Sequence, residues 1–135
     1  MSTQPAPGDA LQEIAITGLS RAQIARYGDA SGDDNPIHTD EKLAARLGLA
    51  DVPVQGMYVM ALVNEHLARW EHHEVTLKLH VRFVAPTLAN RDIAIGGKVM
   101  AVGKTENVAI LRLLVSQSGR MVAMGEAHVG LTEAR

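Results

Sequence analysis

The segment VQGMYVMALVNEHLARW, residues 54–70, constrains the fold most strongly because it predicts a helix without a polar face. Almost every residue from Met57 to Val63 is apolar, and polar side chains return only at Asn64. A helix that is apolar all round is a buried helix. The N–H groups of its first turn, near Gly56, have no intrahelical acceptors and need a partner from elsewhere. The segment therefore predicts a central helix that the rest of the chain must cover.

The chain after this helix changes to a period of two, which predicts β-strands. Two stretches, DIAIGGKVMAVG and NVAILRLLVSQSGRMVAMGEAHVGL, predict two or three long strands with turns at GKTEN and QSGR. Before them, VTLKLHVRF alternates as a half-buried strand does and directs five residues to one buried face, namely Val75, Leu77, Leu79, Val81 and Phe83. A sheet that curls around the apolar helix covers it. The predicted fold class is α+β, with one antiparallel sheet wrapped around a long buried helix in a hot-dog arrangement.

The N-terminal part predicts two short helices joined by a polar loop. Residues 1–10 are rich in Pro, Gly and Ser and are expected to form a flexible tail before a single domain at residues 11–135, whose first strand is LQEIAITGL. SRAQ forms a capping box at Ser20, and its helix is expected to stop at Gly32. Thr39 is expected to cap the second helix, DEKLAARLG. The loop SGDDNPIH therefore leaves a helix C-terminus.

Length, charge and composition limit the classes of function. With 135 residues the chain has the length of one domain. A net charge of -2 and an aromatic content of 3% give neither a basic stripe nor a stacking surface, so we expect no nucleic acid partner. The sequence has no apolar run of roughly 18 to 20 residues and no signal-peptide pattern, so we expect no membrane insertion and a cytoplasmic location. The absence of cysteine excludes a thiol nucleophile.

The stretch YGDASGDDNPIH resembles the hydratase-2 motif of the MaoC-like family of (R)-specific enoyl-thioester hydratases and 3-hydroxyacyl-thioester dehydratases. VPVQGM, at the start of the central helix, is similar to a second signature that usually reads His-Gly-Met. The resemblance covers nearly the whole chain, with overhanging helices, active loop, central helix and strands in the same order. It implies reversible hydration and dehydration between trans-2-enoyl and (R)-3-hydroxyacyl thioesters of coenzyme A or acyl carrier protein, without a metal or redox cofactor.

The resemblance also assigns roles to residues of both motifs. It implies that Asp33 and His38 are the catalytic pair, with Asp33 as the base and His38 orienting one water and sharing in proton transfer. It implies that the backbone N–H of Gly56 is the oxyanion-hole donor, because peptide dipoles favour negative charge at a helix N-terminus. The other motif residues are expected to position the loop, namely Gly32, Asn35 and Pro36.

Three residues near the helix start are candidates for the substrate pocket, namely Gln55, Met57 and Met60. Gln55 stands where the family usually has histidine, at the expected mouth of the oxyanion hole. The change there either retunes substrate choice or marks a subunit that has lost turnover. Core packing is the alternative for Met57, and solvation is expected for Asp34 at the variable position of the motif.

Other polar side chains favour structural roles. EHHE at residues 71–74, with His66 nearby, fits no strong zinc spacing, so a solvated helix end is expected and no metal site is predicted. Strand histidines more often pack or face water than catalyse, which applies to His80 and His128. Lys78, Arg82 and Lys104 are candidates for the phosphates of coenzyme A or for an acidic carrier protein, with a solvated strand face as the favoured alternative.

Three functional hypotheses follow. The hydratase is favoured because both Asp33 and His38 are present, whereas Gln55 keeps open a non-catalytic acyl-thioester-binding subunit of a heterodimeric dehydratase. A hot-dog thioesterase is the alternative within enzymes. Open strand edges and an acyl tunnel that needs a second wall predict a dimer. A homodimer is expected, with a heterodimer of related subunits as the alternative.

Overall fold

The structure is a computed structural model that describes residues 4–133. One antiparallel sheet has the strand order β1-β3-β4-β5-β2, which confirms the predicted α+β hot-dog class. Within the described residues, no helix is both long and apolar enough to cross a membrane. In chain order the elements are β1 (Ala10–Ile16), α1 (Arg21–Ser31), a 3-10 turn (Pro36–His38), α2 (Glu41–Arg46), α3 (Gly56–Ala68), β2 (His73–Phe83), β3 (Ile93–Val102), β4 (Val108–Gln117) and β5 (Arg120–Leu131).

The core lies between the inner face of the sheet and one side of α3. Val59, Val63 and Leu67, spaced four residues apart, form a buried stripe on α3. Alternate residues of β4 are buried with them, including Leu111 and Leu113. Each such side chain contributes about 1.5–3 kcal/mol when it is fully buried. This packing fixes the position of α3, and therefore of its first turn.

The expectation that α3 is buried on every side is wrong for this chain. The buried stripe occupies one side, while Met57 is 63% exposed and Ala61 is also exposed. Core packing of Met57 is therefore corrected as well. The sequence pattern records which side chains avoid water, but it does not record whether the covering surface belongs to the same chain.

The predicted buried face of β2 is also corrected. Leu79 and Val81 are half-buried, but Val75, Leu77 and Phe83 are 47%, 58% and 43% exposed. β2 is an edge strand that pairs only with β5, and its register shifts between Thr76 and Lys78. Because β2 lies at the edge of the sheet, it has a neighbouring strand along only one of its two long edges. The register shift also interrupts the alternation of buried and exposed side chains along the strand.

The expected boundary of the N-terminal tail is corrected. The Gly8 N–H donates to the Val99 carbonyl at 2.8 Å, the Val99 N–H donates to Asp9 at 2.8 Å, and Pro5 is buried. Backbone pairing therefore begins before residue 10, where the tail was expected to end. The first three residues of the expected tail lie outside the described part of the chain.

The helix ends lie at or within one residue of the positions predicted from the sequence. Ser20 and Gln23 form the predicted capping box of α1, and Gly32 ends that helix with a φ of 78°. The N-cap of α2 is Asp40 rather than Thr39, because Thr39 closes the preceding 3-10 turn by donating to Pro36. The side chain of Asp40 accepts from the N–H groups of the first turn of α2.

Candidate active site

The loop after α1 fixes its own shape through successive short-range hydrogen bonds. Gly32 adopts a left-handed conformation and its N–H donates to the Gly28 carbonyl. Asp33 Oδ1 accepts from the Asn35 N–H at 3.2 Å, and Asn35 Oδ1 accepts from the Ile37 N–H at 3.1 Å. Pro36 occupies the first position of the 3-10 turn that Asn35 caps. The residues between Asp33 and His38 are therefore ordered mainly by local polar contacts.

His38 lies beside Asp33 and is held from the other side by the segment before α3. Its Nδ1 is 2.8 Å from the Pro53 carbonyl oxygen, which is an acceptor only, so Nδ1 carries the proton. In the neutral ring Nε2 is then the acceptor, and it lies 3.6 Å from Asp33 Oδ2. That separation is too long for a direct hydrogen bond. Two acceptor atoms thus face one another across a narrow gap.

The start of α3 presents a backbone donor. Gly56 is the first residue of α3, and Gln55 provides no side-chain cap. No acceptor among residues 4–133 meets the Gly56 N–H. A Cβ at Gly56 would lie 3.3 Å from the ring of Phe83, so glycine is the residue that fits beneath that ring. An unsatisfied N–H at the positive end of a helix dipole is suited to bind a developing oxyanion.

Pro53 connects the two halves of the site. It accepts the hydrogen bond from His38 and precedes Gly56 by three residues. It also lies in a short antiparallel pairing with Leu88, supported by the Val54 N–H, which donates to Thr87 at 2.6 Å. The rigid segment before α3 thus carries both the support for His38 and the backbone N–H of Gly56.

Gln55 does not lie at the mouth of a pocket, as the sequence suggested. Its side chain is 1% exposed, and Nε2 donates to the Ile24 carbonyl of α1 at 2.8 Å. Its Oε1 has no partner among the described residues. A Cβ at Gly28 would lie 3.5 Å from Gln55 Nε2 and 2.9 Å from the Asp33 carbonyl oxygen. Gln55 therefore joins α3 to the helix that leads into the active loop.

A groove of about 340 Å³ opens beside the start of α3, with Gly56, Phe83 and Pro86 among its walls. Neither Met57 nor Met60 lines it, although both had been predicted as pocket residues. Their side chains leave the helix in other directions, one largely exposed and the other half-buried. A role of Met57 and Met60 in the substrate pocket stays a prediction, and Phe83, assigned to the core from the strand pattern, walls this groove.

Tyr27 and Tyr58 form a second contact between α1 and α3. Their rings stack with centroids 4.6 Å apart and an angle of 17° between the planes. The two rings therefore pack the helix that leads into the loop against the central helix.

A charged cluster secures the beginning of α1 to the first residue of α2 and to the segment that follows α2. Arg21 contacts Glu41 at 2.6 Å and Asp51 at 2.9 Å, and Asn90 donates to Asp51 at 3.1 Å. Desolvation works to raise the pKa of Asp51, but hydrogen bonds from Arg21, the Val52 N–H and Asn90 outweigh it and lower that pKa below its ordinary value. The Asp51 hydrogen bond is also the main cause of a raised pKa for Arg21.

The other polar candidates lie apart from this site. Residues 4–133 contain no group of three or more side chains placed to hold a metal ion. His66 Nε2 is 2.7 Å from the Gln12 carbonyl oxygen, and His73 contacts Thr76 at 2.8 Å in β2. The EHHE stretch is thus a turn and a strand start rather than a helix end. Exposed side chains on β2 and the β3–β4 hairpin include Lys78, His80, Arg82 and Lys104, and His128 is half-buried in β5.

Comparison with known proteins settles the family. The family model described as the MaoC like domain matches residues 2–116. The chain belongs to the MaoC-like domain family. It is 28% identical over 121 residues to the fatty acid synthase subunit beta of Gibberella zeae, covering 87% of this chain and 6% of the relative. It is 35% identical over 75 residues to the 3-hydroxyacyl-thioester dehydratase X of Mycobacterium tuberculosis, covering 55% of this chain and 26% of that one. The chain therefore spans a small part of both curated relatives.

Solved structures share the fold of this chain. The (R)-hydratase from A. caviae involved in PHA biosynthesis superposes with a TM-score of 0.85 at 21% identity, over 97% of this chain and 100% of that one. The ChsH1-ChsH2 complex from Mycobacterium tuberculosis gives a TM-score of 0.83 at 18% identity, over 94% and 98% of the two chains. At these identities the similarity establishes the shared hot-dog fold.

Proposed function

We propose that this chain catalyses reversible addition of water to trans-2-enoyl thioesters, which yields (R)-3-hydroxyacyl thioesters. The observation that carries the proposal is the facing pair of acceptors, Asp33 Oδ2 and His38 Nε2, at 3.6 Å. A water placed between them donates one hydrogen to each, which aims an oxygen lone pair outward toward a substrate. Membership of the MaoC-like family supports this reaction class.

The proposed mechanism uses Asp33 as the general base. As the water oxygen bonds to Cβ, Asp33 accepts one of its protons, and the alkene π electrons move toward the thioester oxygen. His38 holds the remaining hydrogen of the water through Nε2, because the Pro53 carbonyl keeps the imidazole proton of His38 on Nδ1. The proton held by the pair then returns to Cα, which completes the addition and restores Asp33.

The backbone N–H of Gly56 is proposed to stabilise the enolate oxygen that forms during this step. Its value comes from preorganisation, because the N–H is fixed by α3 before the charge develops. The reaction moves one water and one proton without net electron transfer. The proposal therefore includes no metal or redox cofactor, and the substrate is a thioester of coenzyme A or acyl carrier protein.

We propose that the chain acts as a homodimer. Apolar side chains on the outer edge of the sheet and on α3 are exposed, including Val75, Leu77, Phe83 and Met57. The groove beside Gly56 is walled by Phe83 from the same edge. A second copy joined there covers these side chains and closes the groove. A related subunit in the same place is the alternative, in which a heterodimer forms.

The test is the absorbance of the enoyl-thioester band after the purified chain meets crotonyl-coenzyme A and a longer trans-2-enoyl-coenzyme A. The wild type and the neighbouring control Asp34→Asn should consume the enoyl thioester. Asp33→Asn should lower kcat by about 10²–10⁴-fold, the usual contribution of general acid–base catalysis. Retained turnover in Asp33→Asn would refute the assigned base.

Product analysis separates the hydratase from its rivals. Formation of a 3-hydroxyacyl thioester supports the proposal, whereas free acid and thiol would indicate a thioesterase. A folded chain that binds the thioester without converting it, alone or at high concentration, would instead favour a binding subunit.

A further inference from the structure

Two neighbouring grooves share a wall formed by Ala85 and Pro86 in the segment between β2 and β3. One is the groove beside Gly56 described above. The other, of about 310 Å³, has Arg91 and Arg120 among its lining residues. The groove beside Gly56 and the groove lined by the two arginines therefore adjoin at this wall.

Gln117 fixes the backbone of both arginine-bearing segments. This residue is 6% exposed, and its Nε2 donates to the carbonyl oxygens of Leu88 at 2.9 Å and Arg91 at 3.0 Å. Its Oε1 accepts from the Leu88 N–H at 2.8 Å. Gln117 also pairs with Arg120 across the β4–β5 hairpin. One buried, fully bonded amide thus holds Arg91 next to the turn that carries Arg120.

Neither guanidinium is neutralised locally. Among the described residues no carboxylate forms an ion pair with Arg91 or Arg120. Asp92, the next residue after Arg91, has another partner, since it accepts from the Gly18 N–H at 2.9 Å. Two arginines that line one groove and form no ion pair are suited to a phosphate, which accepts several charge-assisted hydrogen bonds.

We propose that Arg91 and Arg120 bind the phosphate of the phosphopantetheine arm that carries the acyl thioester. This inference rests on the proposed function, because that function supplies the thioester at Gly56. The ligand chemistry is a phosphate monoester or diester on a pantetheine chain. Coenzyme A and acyl carrier protein both present it.

The spacing along the surface suits such an arm. The Val54 N–H donates to Thr87 and the Ala89 N–H donates to Val52, so these short segments run antiparallel. Gly56 therefore lies near the level of Ala85, and Arg91 lies six residues further along that segment. At about 3.3 Å per extended residue the backbone from Ala85 to Arg91 spans at most about 20 Å, and the turn at Asn90 shortens it. The two amides and flanking carbons between the sulfur and the phosphate of phosphopantetheine give a chain of comparable extended length.

The test compares wild type with the double variant Arg91→Gln/Arg120→Gln on crotonyl-phosphopantetheine and on crotonyl-pantetheine, which lacks the phosphate. The double variant should raise KM for the phosphorylated thioester about tenfold, with kcat unchanged, which is the effect of losing one to two exposed charge-assisted hydrogen bonds. KM for crotonyl-pantetheine should stay at the wild-type value. An unchanged KM for the phosphorylated thioester, or an equal rise for both thioesters, would overturn the proposal.

The matched control is Lys98→Gln/Arg112→Gln, which removes two cations from another groove, lined by β1, β3, β4 and the start of β5. That groove shares no wall residue with the groove beside Gly56. The control should leave both KM values unchanged. A rise in the control equal to that in the double variant would show a general effect of net charge and would overturn the proposal.

Crotonyl-coenzyme A and crotonyl-acyl carrier protein identify the source of the phosphate. Equal rises in KM for both and for crotonyl-phosphopantetheine place the shared phosphate at the arginines. A larger rise for crotonyl-coenzyme A assigns them its nucleotide phosphates as well. A rise confined to the carrier protein would show contact with the acidic protein surface and would overturn a phosphate site.

Calorimetric titration of free coenzyme A separates this inference from the proposed reaction. If wild type converts none of the thioesters but binds coenzyme A more tightly than the double variant does, the phosphate site stands and the hydratase proposal fails. If turnover occurs and coenzyme A binds both proteins equally, the hydratase stands and the phosphate site fails. If wild type shows neither binding nor turnover, both proposals fail.

Discussion

The active loop and the outer side of α3 are ordered by opposite means. Residues 31–38 hold their shape through bonds between near neighbours, and their farther support comes mainly from the contact of His38 with Pro53. The outer side of α3 and the adjacent β2 edge leave Met57 and Leu77 more than half exposed. The loop is therefore complete within one chain, whereas the apolar edge is exposed in a single chain and is covered only in the proposed dimer. We therefore expect that substitutions in the loop remove turnover without changing the oligomeric state. Substitutions at the apolar edge should instead disrupt the proposed dimer.

The largest effect is expected from His38→Gln, which tests the complete region. The substitution removes the ring that places an acceptor opposite Asp33, so kcat should fall by about 10²–10⁴-fold. The His38 side chain is mostly buried, but the hydrogen bonds within the loop do not involve it. The circular dichroism spectrum and the oligomer mass should therefore be unchanged. His80→Gln, on an exposed strand position, should keep wild-type activity. Equal losses in both variants would show that the assignment of His38 is wrong.

Leu77→Asp tests the incomplete region. Leu77 is 58% exposed on the edge strand, so in a lone chain the change should alter stability by less than about 0.5 kcal/mol. In the proposed dimer it buries a charge in an apolar contact. We therefore expect light scattering to shift from twice 14.5 kDa to the mass of one chain, with loss of turnover.

Leu114→Asp is the control for that shift. Leu114 is 43% exposed but lies on β4, away from the β2 edge. This variant should remain dimeric and active. Wild type that scatters as one chain at micromolar concentration would contradict the proposed dimer directly.

The division between the two regions also explains what the sequence predicted. The capping box at Ser20, the stop at Gly32 and the hairpin turn at Gly119 depend on residues within a few positions of one another, and all three occur. Asp33 and His38 were expected to lie together because a short motif encodes a short loop, and their side chains do lie side by side. The N-cap of α2 was misplaced by one residue because the intervening 3-10 turn at Pro36 gave no separate signal.

Features that depend on distant partners were not predictable. Gln55 was placed at a pocket mouth, yet its direction is set by the Ile24 carbonyl, which is 31 residues away in sequence. The role of Gln117 depends in the same way on Leu88 and Arg91. The apolar pattern of α3 recorded hydrophobicity correctly, but it did not show that the sheet covers only the side with Val59, Val63 and Leu67.

A smaller effect is expected from changes at Gln55, which joins the two regions. Gln55→Glu places a carboxylate against the Ile24 carbonyl in a buried position, so the free energy of unfolding at pH 8 should fall by at least about 2 kcal/mol. Gln55→Leu loses the hydrogen bond but also removes the unpartnered oxygen, so its change should stay within about 1 kcal/mol. Urea unfolding of the two variants checks this order. A Glu variant as stable as the Leu variant would show that the amide is not tightly enclosed.

The smallest effect should come from Asp51→Asn, which loosens the attachment of α1 without touching the loop. Its partner Arg21 is largely exposed, so the change in unfolding free energy should be below about 1 kcal/mol. The folded-state pKa of Asp51 lies below its unfolded value, so its contribution is fully present above the unfolded pKa and is lost as pH falls through the folded one. The difference between wild type and variant should therefore be constant above about pH 5 and shrink below about pH 4. Urea unfolding at several pH values measures it, with Asp29→Asn on the exposed side of α1 as the control. A difference that grew on acidification would mean that folding stabilises Asp51 as the neutral acid. The hydrogen bonds from Arg21 and Asn90 to the Asp51 carboxylate would then not anchor the start of α1.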